Sequence, residues 1–201
     1  VCQPVFGADG TWLGRRGSHR DVTLRKQGEA ALRRYADRLR GLHETDQAIL
    51  AARSVDEIAQ AALRRVPDLL GCVRADVMLY DLDAGEMTLL AVHVGDKTRV
   101  DKGWRGPIDA AWTDVLRTLA RGATYTIEDV QQAPSDSPWR EALRAEQARA
   151  LVAVPLIIED TLIGSLNLSM PTPEQLTPGR LEIARELAIQ LAIGVHQARL
   201  R

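Results

Sequence analysis

Cysteine is scarce in this chain of 201 residues and the net charge is small, and each of these facts excludes a class of protein. The only two cysteines, Cys2 and Cys72, are far apart and belong to no Cys-x-x-Cys or Cys/His cluster. The sequence therefore predicts neither a disulfide framework nor a zinc site, and we expect no metal. The net charge of −1 gives no electrostatic reason to expect a nucleic-acid partner.

Long apolar runs are missing as well. The longest, such as 151–158, are far too short to cross a bilayer, and no signal-peptide pattern opens the chain. The apolar and charged fractions, 45% and 26%, are ordinary for a soluble globular protein. We therefore expect a cytoplasmic location without membrane contact. Because the first residue is valine, we interpret the chain as a fragment of a longer protein.

The first twenty residues predict a β-hairpin. The segments VCQPVF and TWLGRRGSHR flank a turn at 7–10, whose Asp9-Gly10 pair suits backbone positions with positive φ. Two strands alone bury too little surface to be stable, so we expect this hairpin to belong to a larger domain. Thr23 then suits the N-cap of a helix.

A long helix is predicted over 24–53, where no proline occurs and only Gly28 and Gly41 interrupt good helix formers. Its seam follows the a/d spacing of a coiled coil. The seam positions are Leu32, Tyr35, Leu39, Leu42, Asp46 and Ile49. The polar Asp46 should weaken this seam or fix its register. An amphipathic helix packing on its own domain is the alternative; we favour two chains because the helix begins outside the compact region that follows.

The remainder of the chain alternates helices with pairs of strands. A capping-box pattern, Ser54 with Glu57, opens a helix that ends at Gly71. Antiparallel hairpins are predicted at 75–95 and 150–170.

Short elements separate the two hairpins, and a long helix follows them. We predict helices at about 110–120 and 139–147, a strand at 125–127, and a last helix from about 173 or 177 to the end. The last helix is apolar almost all round, so one face can cover a sheet and a second needs another partner. The fold class is therefore α+β.

Residues 4–32, PVFGADGTWLGRRGSHRDVTLRKQGEAAL, resemble the end of a PAS domain, a sensory module of signalling proteins. The likeness lies in the hairpin with its Asp-Gly turn, the glycine spacing, and the run Asp-Val-Thr-Leu-Arg-Lys at 21–26. Gly28 departs from the pattern, since such proteins usually carry a better helix former there. The resemblance implies a PAS hairpin over 1–22, a coiled-coil linker over 23–53, and a joint between them at Asp21 and Thr23.

Residues 54–200 resemble a GAF domain. The likeness lies in the capped helix, the first hairpin, the segment IEDV, and above all RALVAVPLIIEDTLIGSLNLS followed by LTPGRLEIARELAIQLAIGVHQARL. It implies a GAF domain over 54–201, with a central antiparallel sheet of five to six strands and long flanking N- and C-terminal helices. The first and last helices would lie on one face of the sheet. A small-molecule pocket would lie on the other face, under the middle segment.

Alternation along the strand LIGSLNLS separates two sets of side chains. The apolar set, with Leu166 and Leu168, fits the face under the helices. The polar set, Ser165, Asn167 and Ser169, faces either water or a ligand, and the long middle segment is able to cover it. We therefore take these three polar residues as pocket candidates.

Five further pocket candidates are His93, Trp104, Arg105, Trp112 and Tyr125. Aromatic rings and one arginine suit a planar or anionic ligand. They equally suit the locking of a long loop to its sheet, and we favour that structural role slightly. No second metal ligand is spaced to help His93, so a core or edge role is expected for it rather than a metal.

Several GAF chemistries do not fit these residues. Covalent bilin attachment usually needs a pocket cysteine, often followed by histidine, and Cys72 has no histidine beside it. Reduction of free methionine sulfoxide needs several cysteines. The Asn-Lys…Phe…Asp-Glu pattern of cyclic-nucleotide binding is absent, since the only phenylalanine is Phe6. No phosphate loop or acid/base constellation is visible, so we predict no enzyme activity and no cofactor.

We therefore predict a non-catalytic sensory and relay segment of a multidomain bacterial signalling protein, with a sensor histidine kinase favoured as the parent over a diguanylate cyclase. An unknown small molecule would bias the packing of flanking helices in a parallel homodimer. The dimer and relay residues are Leu32, Tyr35, Leu39, Leu42, Ile49, Leu187, Leu191 and Val195. The alternatives are a ligand-free GAF scaffold for dimerisation and, less favoured, a thiol-dependent sulfoxide reductase that needs an exposed, reactive Cys72.

Overall fold

The computed structural model describes residues 2–17, 23–51, 54–64, 66–94, 100–132 and 138–200. The chain divides into two compact units, Val1–Leu39 and Arg40–Arg201. Of the predicted joint, Asp21 lies outside the described residues, and Thr23 is the first residue of a helix.

The first unit contains the predicted hairpin. Strands β1 (Cys2–Phe6) and β2 (Trp12–Gly17) pair in antiparallel register. In the turn, the Gly7 N–H donates to the Thr11 carbonyl over 2.7 Å, and Gly10 has a φ of 81°. The Asp-Gly prediction is confirmed, because the left-handed position falls on the residue without a Cβ.

Helix α1 (Thr23–Ala51) is continuous over 29 residues. The predicted helix is therefore confirmed to within two residues of its expected end. In its N-terminal part the apolar side chains face solvent: Leu32, Tyr35 and Leu39 are 70%, 59% and 49% exposed. The side chains of Leu42 and Ile49 lie outside the described residues.

The second unit is built on a six-stranded antiparallel sheet, which confirms the predicted α+β class and strand number. Its strands run in the order β5-β4-β3-β8-β7-β6. The elements are α2 (Val55–Leu63), α3 (Val66–Leu70), β3 (Arg74–Asp81), β4 (Glu86–Val94), β5 (Arg105–Pro107), α4 (Thr113–Ala120), β6 (Tyr125–Ile127), α5 (Pro138–Ala145), β7 (Ala150–Ile158), β8 (Thr161–Met170) and α6 (Pro178–Arg199). No helix in the described parts is both long and apolar enough to cross a membrane.

The predicted helix from Ser54 to Gly71 proves to be two helices. Its start is confirmed, because Ser54 Oγ accepts a hydrogen bond from the Glu57 N–H at 3.1 Å. The prediction of one continuous helix was wrong, since α2 ends at Leu63 and α3 begins at Val66. Pro67 explains the break: it has no N–H to donate to residue 63, and its ring collides with that carbonyl.

The two faces of the sheet carry separate cores. Helices α2 and α6 pack on the first face, around a first core that includes Val77, Leu166 and Leu168. This confirms that the first and last GAF helices share one face. Helices α4 and α5 and the segments around them cover the second face, over a second core that includes Met78 and Leu151.

The α6 residues predicted for the dimer lie inside this unit. Leu187, Leu191 and Val195 are almost wholly buried in the first core. These side chains therefore pack inside one chain and not against a second one, because the helix turns its most regular apolar stripe toward the sheet. The apolar side chains that α6 exposes are Ile189 and Ile193, at 59% and 41%.

Gly164 gives a direct test of the sheet packing. A Cβ there would overlap the backbone carbonyl oxygen of Met78 and lie 3.3 Å from the Leu79 Cα, whereas Gly179 in the first turn of α6 has open space around it. We expect Gly164→Ala to lower the free energy of unfolding by about 1–3 kcal/mol through overpacking. Gly179→Ala should raise it by about 0.5–1 kcal/mol by favouring the helix. Urea unfolding followed by circular dichroism measures both; equal effects would contradict the packing described.

Candidate functional site

Five buried polar side chains lie on the second face of the sheet, at its centre. They are Arg74, Asp76, Ser165, Asn167 and Ser169. The antiparallel register of β3 and β8 sets Arg74 opposite Ser169 and Asp76 opposite Asn167. Because directly opposed residues point to the same face, these side chains converge beneath the middle segment.

A continuous chain of hydrogen bonds joins four of these residues to Tyr80; we call these five residues the central network. The Arg74 Nε donates to Asp76 Oδ1 at 2.9 Å, and the Asn167 Nδ2 donates to Asp76 Oδ2 at 2.8 Å. The Ser165 hydroxyl donates to Asn167 Oδ1 at 2.9 Å. Since its one proton is used there, Ser165 Oγ accepts from the Tyr80 hydroxyl at 2.7 Å.

Arg74 also binds the segments that cover the sheet. Its Nη1 donates to both carboxylate oxygens of Glu146, at 2.9 and 3.2 Å, just beyond the end of α5. Its Nη2 donates to the Val100 carbonyl at 3.3 Å, in the segment that follows β4. One guanidinium therefore links the middle of the sheet to two separate parts of its cover.

The electrostatics of the site follow from full burial. Burial acts to lower the pKa of Arg74, but the carboxylates of Asp76 and Glu146 outweigh it and raise that pKa. The pKa of Tyr80 is raised, chiefly by burial, so its hydroxyl stays a neutral donor. Among the described residues, the site thus contains one permanent cation, Arg74, and two carboxylate groups, Asp76 and Glu146.

Ser169 differs from its neighbours. It is fully buried, and its Oγ has no hydrogen-bond partner among the described residues. A buried hydroxyl without a partner is uncommon in folded proteins and calls for an explanation. It lies opposite Arg74 in the strand register, on the same face of the sheet.

Three of the predicted aromatic candidates lie on the second face. Trp104, Trp112 and Tyr125 are half-buried and pack against the second core. The Trp104 ring occupies the space where a Cβ of Gly106 would lie. These contacts agree with the loop-locking role, and they bring the three rings to the same face as the three polar β8 candidates.

His93 and Arg105 are placed differently. His93 pairs with Ala75, a first-core residue, so it lies on the opposite face of the sheet and is exposed. Arg105 is exposed on the edge strand β5, where it pairs with Thr88. The structure therefore does not bring these two residues together with Ser165, Asn167 and Ser169. Across the described segments, no group of three or more His, Cys, Asp or Glu residues could hold a metal ion.

The sequence reasoning missed four site residues: Arg74, Asp76, Tyr80 and Glu146. A signal existed for the first three, because they alternate with apolar residues in RADVMLYD as the polar residues do in β8. Glu146 gave no such signal, since it meets Arg74 across 72 positions of sequence.

An α+β domain with a single six-stranded sheet, helices on both faces and a buried polar centre is the class that these observations define. The family model for the GAF domain matches residues 54–195, and the chain belongs to the GAF domain family. Comparison with curated proteins gives no match.

Solved structures share this fold at low sequence identity. The phycoerythrobilin-bound GAF domain from a cyanobacterial phytochrome is 21% identical, with a TM-score of 0.66 over 81% of this chain and 96% of that one. Residues 122 to 287 of a methyl-accepting chemotaxis protein are 20% identical, with a TM-score of 0.64 over 81% and 99%. The chromophore-binding domain of the bacteriophytochrome RpBphP3 from R. palustris is 13% identical, with a TM-score of 0.66 over 81% and 62%, so this chain spans less than two thirds of it. At these identities the likeness shows the fold alone.

Two serines on one strand test the central network. We expect Ser165→Ala to lower the free energy of unfolding by about 1–3 kcal/mol, because Tyr80 and Asn167 each lose a buried partner. Ser169→Ala removes no hydrogen bond to a described residue and should stay within about 0.5 kcal/mol of the wild type. Urea unfolding of the two variants side by side measures the difference. A Ser169→Ala variant as unstable as Ser165→Ala would contradict the assignment.

Cys72 tests the burial at the start of β3. Burial raises the pKa of its thiol from 9.0 to about 12. The unfolded chain therefore loses this proton first, so the stabilisation is complete below pH 9 and lost as pH rises to about 12. In a Cys2→Ser variant at pH 8, we expect iodoacetamide to label the folded chain about a thousandfold more slowly than the urea-unfolded chain. Comparable rates would show an accessible thiol.

Proposed function

We propose that the chain is a sensory and relay segment of a bacterial signal-transduction protein, in which a GAF domain is joined through α1 to the end of a PAS module. The parent is a sensor histidine kinase, with a diguanylate cyclase as the alternative. GAF domains are generally sensory rather than catalytic. The observation that carries the proposal is a GAF-family fold preceded by a 29-residue helix with exposed apolar seam positions.

The sensing site in this proposal is the second face of the sheet. Its polar centre is buried under α4, α5 and the segment at Val100, so a ligand there meets named donors and acceptors rather than bulk water. Strand β3 has Arg74 and Asp76 on that face and Ala75 and Val77 in the first core with α2 and α6. A shift of β3 would therefore also move residues that pack against α2 and α6 on the other face.

Relay requires that the ligand distinguish two packings of the helices. A ligand that binds both packings equally shifts nothing, however tightly it binds. The exposed Leu32, Tyr35 and Leu39 on α1 supply one surface whose packing can differ between states. On α6, Ile189 and Ile193 replace the buried residues as the apolar surface available to a second chain.

A ligand-free scaffold is the second candidate function, and one observation favours it. The central network satisfies its own hydrogen bonds, from Tyr80 through to Arg74. Such a face is stable without any ligand. The two functions differ in one respect: only the sensory one requires a ligand that alters helix packing. The sulfoxide reductase is not proposed, because Cys72 is buried.

Dimer formation tests the relay. We expect the chain to sediment as a dimer at tens of micromolar. Leu32→Glu should weaken that dimer by about tenfold or more, because tenfold corresponds to only about 1.4 kcal/mol and the substitution sets like charges in an apolar seam. Sedimentation velocity across a concentration series measures both proteins.

The control is Ala30→Glu, which adds the same charge to an exposed position two residues away and off the seam. It should leave the dimer unchanged. A monomeric wild-type chain would contradict the relay through a dimer. Equal weakening by both variants would show that Leu32 does not lie on the dimer seam.

A further inference from the structure

The contact between Arg74 and Glu146 resembles the contact that a bound carboxylate ligand would make. Glu146 presents a carboxylate to Nη1 of a fully buried guanidinium, with both oxygens within 3.2 Å. Carboxylate on guanidinium is among the strongest charge-assisted contacts in proteins. The contact differs from the Asp76 pair, because Asp76 belongs to the sheet itself and Glu146 belongs to its cover.

We propose that Arg74 anchors a site for a small carboxylate ligand, and that Glu146 fills this site as an internal stand-in. The inference rests on the proposed sensory role and names the class of ligand for that same face. An incoming carboxylate would take the place of Glu146 on Nη1, and Glu146 would move outward with the end of α5.

Ser169 is the independent observation that points to a ligand. Its hydroxyl is fully buried without a described partner, and the residue lies directly opposite Arg74 on the same face. Directly opposed residues in an antiparallel pair have Cβ atoms about 4.5–5.5 Å apart. In the proposed site, the Ser169 hydroxyl would donate a hydrogen bond to the bound carboxylate, since both residues start from paired positions on the same face.

The chemistry of the exchange selects a carboxylate. Departure of Glu146 takes two acceptor oxygens away from Nη1 inside a buried site, which is costly, so the incoming group should accept hydrogen bonds from the same nitrogen. It should also replace one negative charge, because Glu146 is one of the two carboxylates that the described residues place against Arg74. A small carboxylate meets both conditions, whereas a neutral alcohol brings no negative charge and a protonated amine can only donate.

Glu146 belongs to the cover of the sheet and not to a strand. Its side chain is 7% exposed, and it is the residue immediately after α5, followed by Gln147 at a φ of 58°. Its movement changes the end of a short helix and leaves the six strands intact. Asp76, by contrast, is fixed on β3 and keeps its bonds to Arg74 and Asn167.

The test uses sodium acetate as the probe, with ionic strength held constant by sodium chloride, and isothermal titration calorimetry as the readout. We expect Glu146→Gln to bind acetate about tenfold more tightly than the wild type, because a weaker stand-in raises the fraction of competent sites. Adding Ser169→Ala should weaken that binding by about threefold to tenfold. Glu141→Gln, which removes an exposed charge from the same helix, should match the wild type.

Hydrogen exchange supplies a second readout in the wild-type chain. Saturating acetate should speed amide exchange in α5 and leave β8 unchanged, because Glu146 no longer ties α5 to the sheet. Equal acetate binding by wild type and Glu146→Gln would overturn the proposal. So would an equal response to sodium chloride alone, which would mark unspecific anion binding.

The two proposals fail separately. If Glu146→Gln does not bind acetate and the chain still dimerises through Leu32, the ligand class is wrong and the relay stands. If acetate binds with the expected pattern and the chain is monomeric, the relay is wrong and the ligand class stands.

Discussion

The buried guanidinium of Arg74 is the interaction on which the second face of the sheet depends. It binds Asp76 on its own strand, Glu146 beyond α5, and the carbonyl of Val100 after β4. These partners come from three separate parts of the chain. An arginine suits this position because its rigid fork of donors serves several acceptors at once and never loses its charge.

The period of two along each strand lets one sheet support two different interiors. Ala75 and Val77 face the apolar first core under α2 and α6, and Arg74 and Asp76 face the polar centre on the other side. The first face, under α2 and α6, supplies stability through apolar burial. The second face holds the buried charges, so a rearrangement of the segments that cover it leaves the first core in place.

Local patterns predicted most of the elements, the α+β class and part of the site, whereas the resemblance to GAF domains predicted the strand number and the face shared by the first and last helices. The Asp9-Gly10 turn, the Ser54 cap and the alternation in β8 are each decided by neighbouring residues, and the structure follows all three. The face of His93 is decided by a β-bulge instead: Val77 pairs with Ala91 and Met78 with Leu89, so Leu90 is an extra residue. That bulge turns the end of β4 over, and no pattern in β4 alone reveals it. The Arg74–Glu146 pair is equally invisible, since only the tertiary fold brings its two members together.

A buried ion pair is a poor source of stability, because apolar residues of similar volume often stabilise a core equally well or better. Removing one partner alone is far more costly, at about 3–5 kcal/mol, since the other charge is left buried and unpaired. Loss of Glu146 alone costs less than that, because Arg74 keeps Asp76 as a charged partner, but it still takes two acceptors from the buried guanidinium. Glu146 can leave at low cost only when another acceptor replaces it on the guanidinium. In the proposed exchange, this cost would keep the cover closed until a carboxylate takes the place of Glu146.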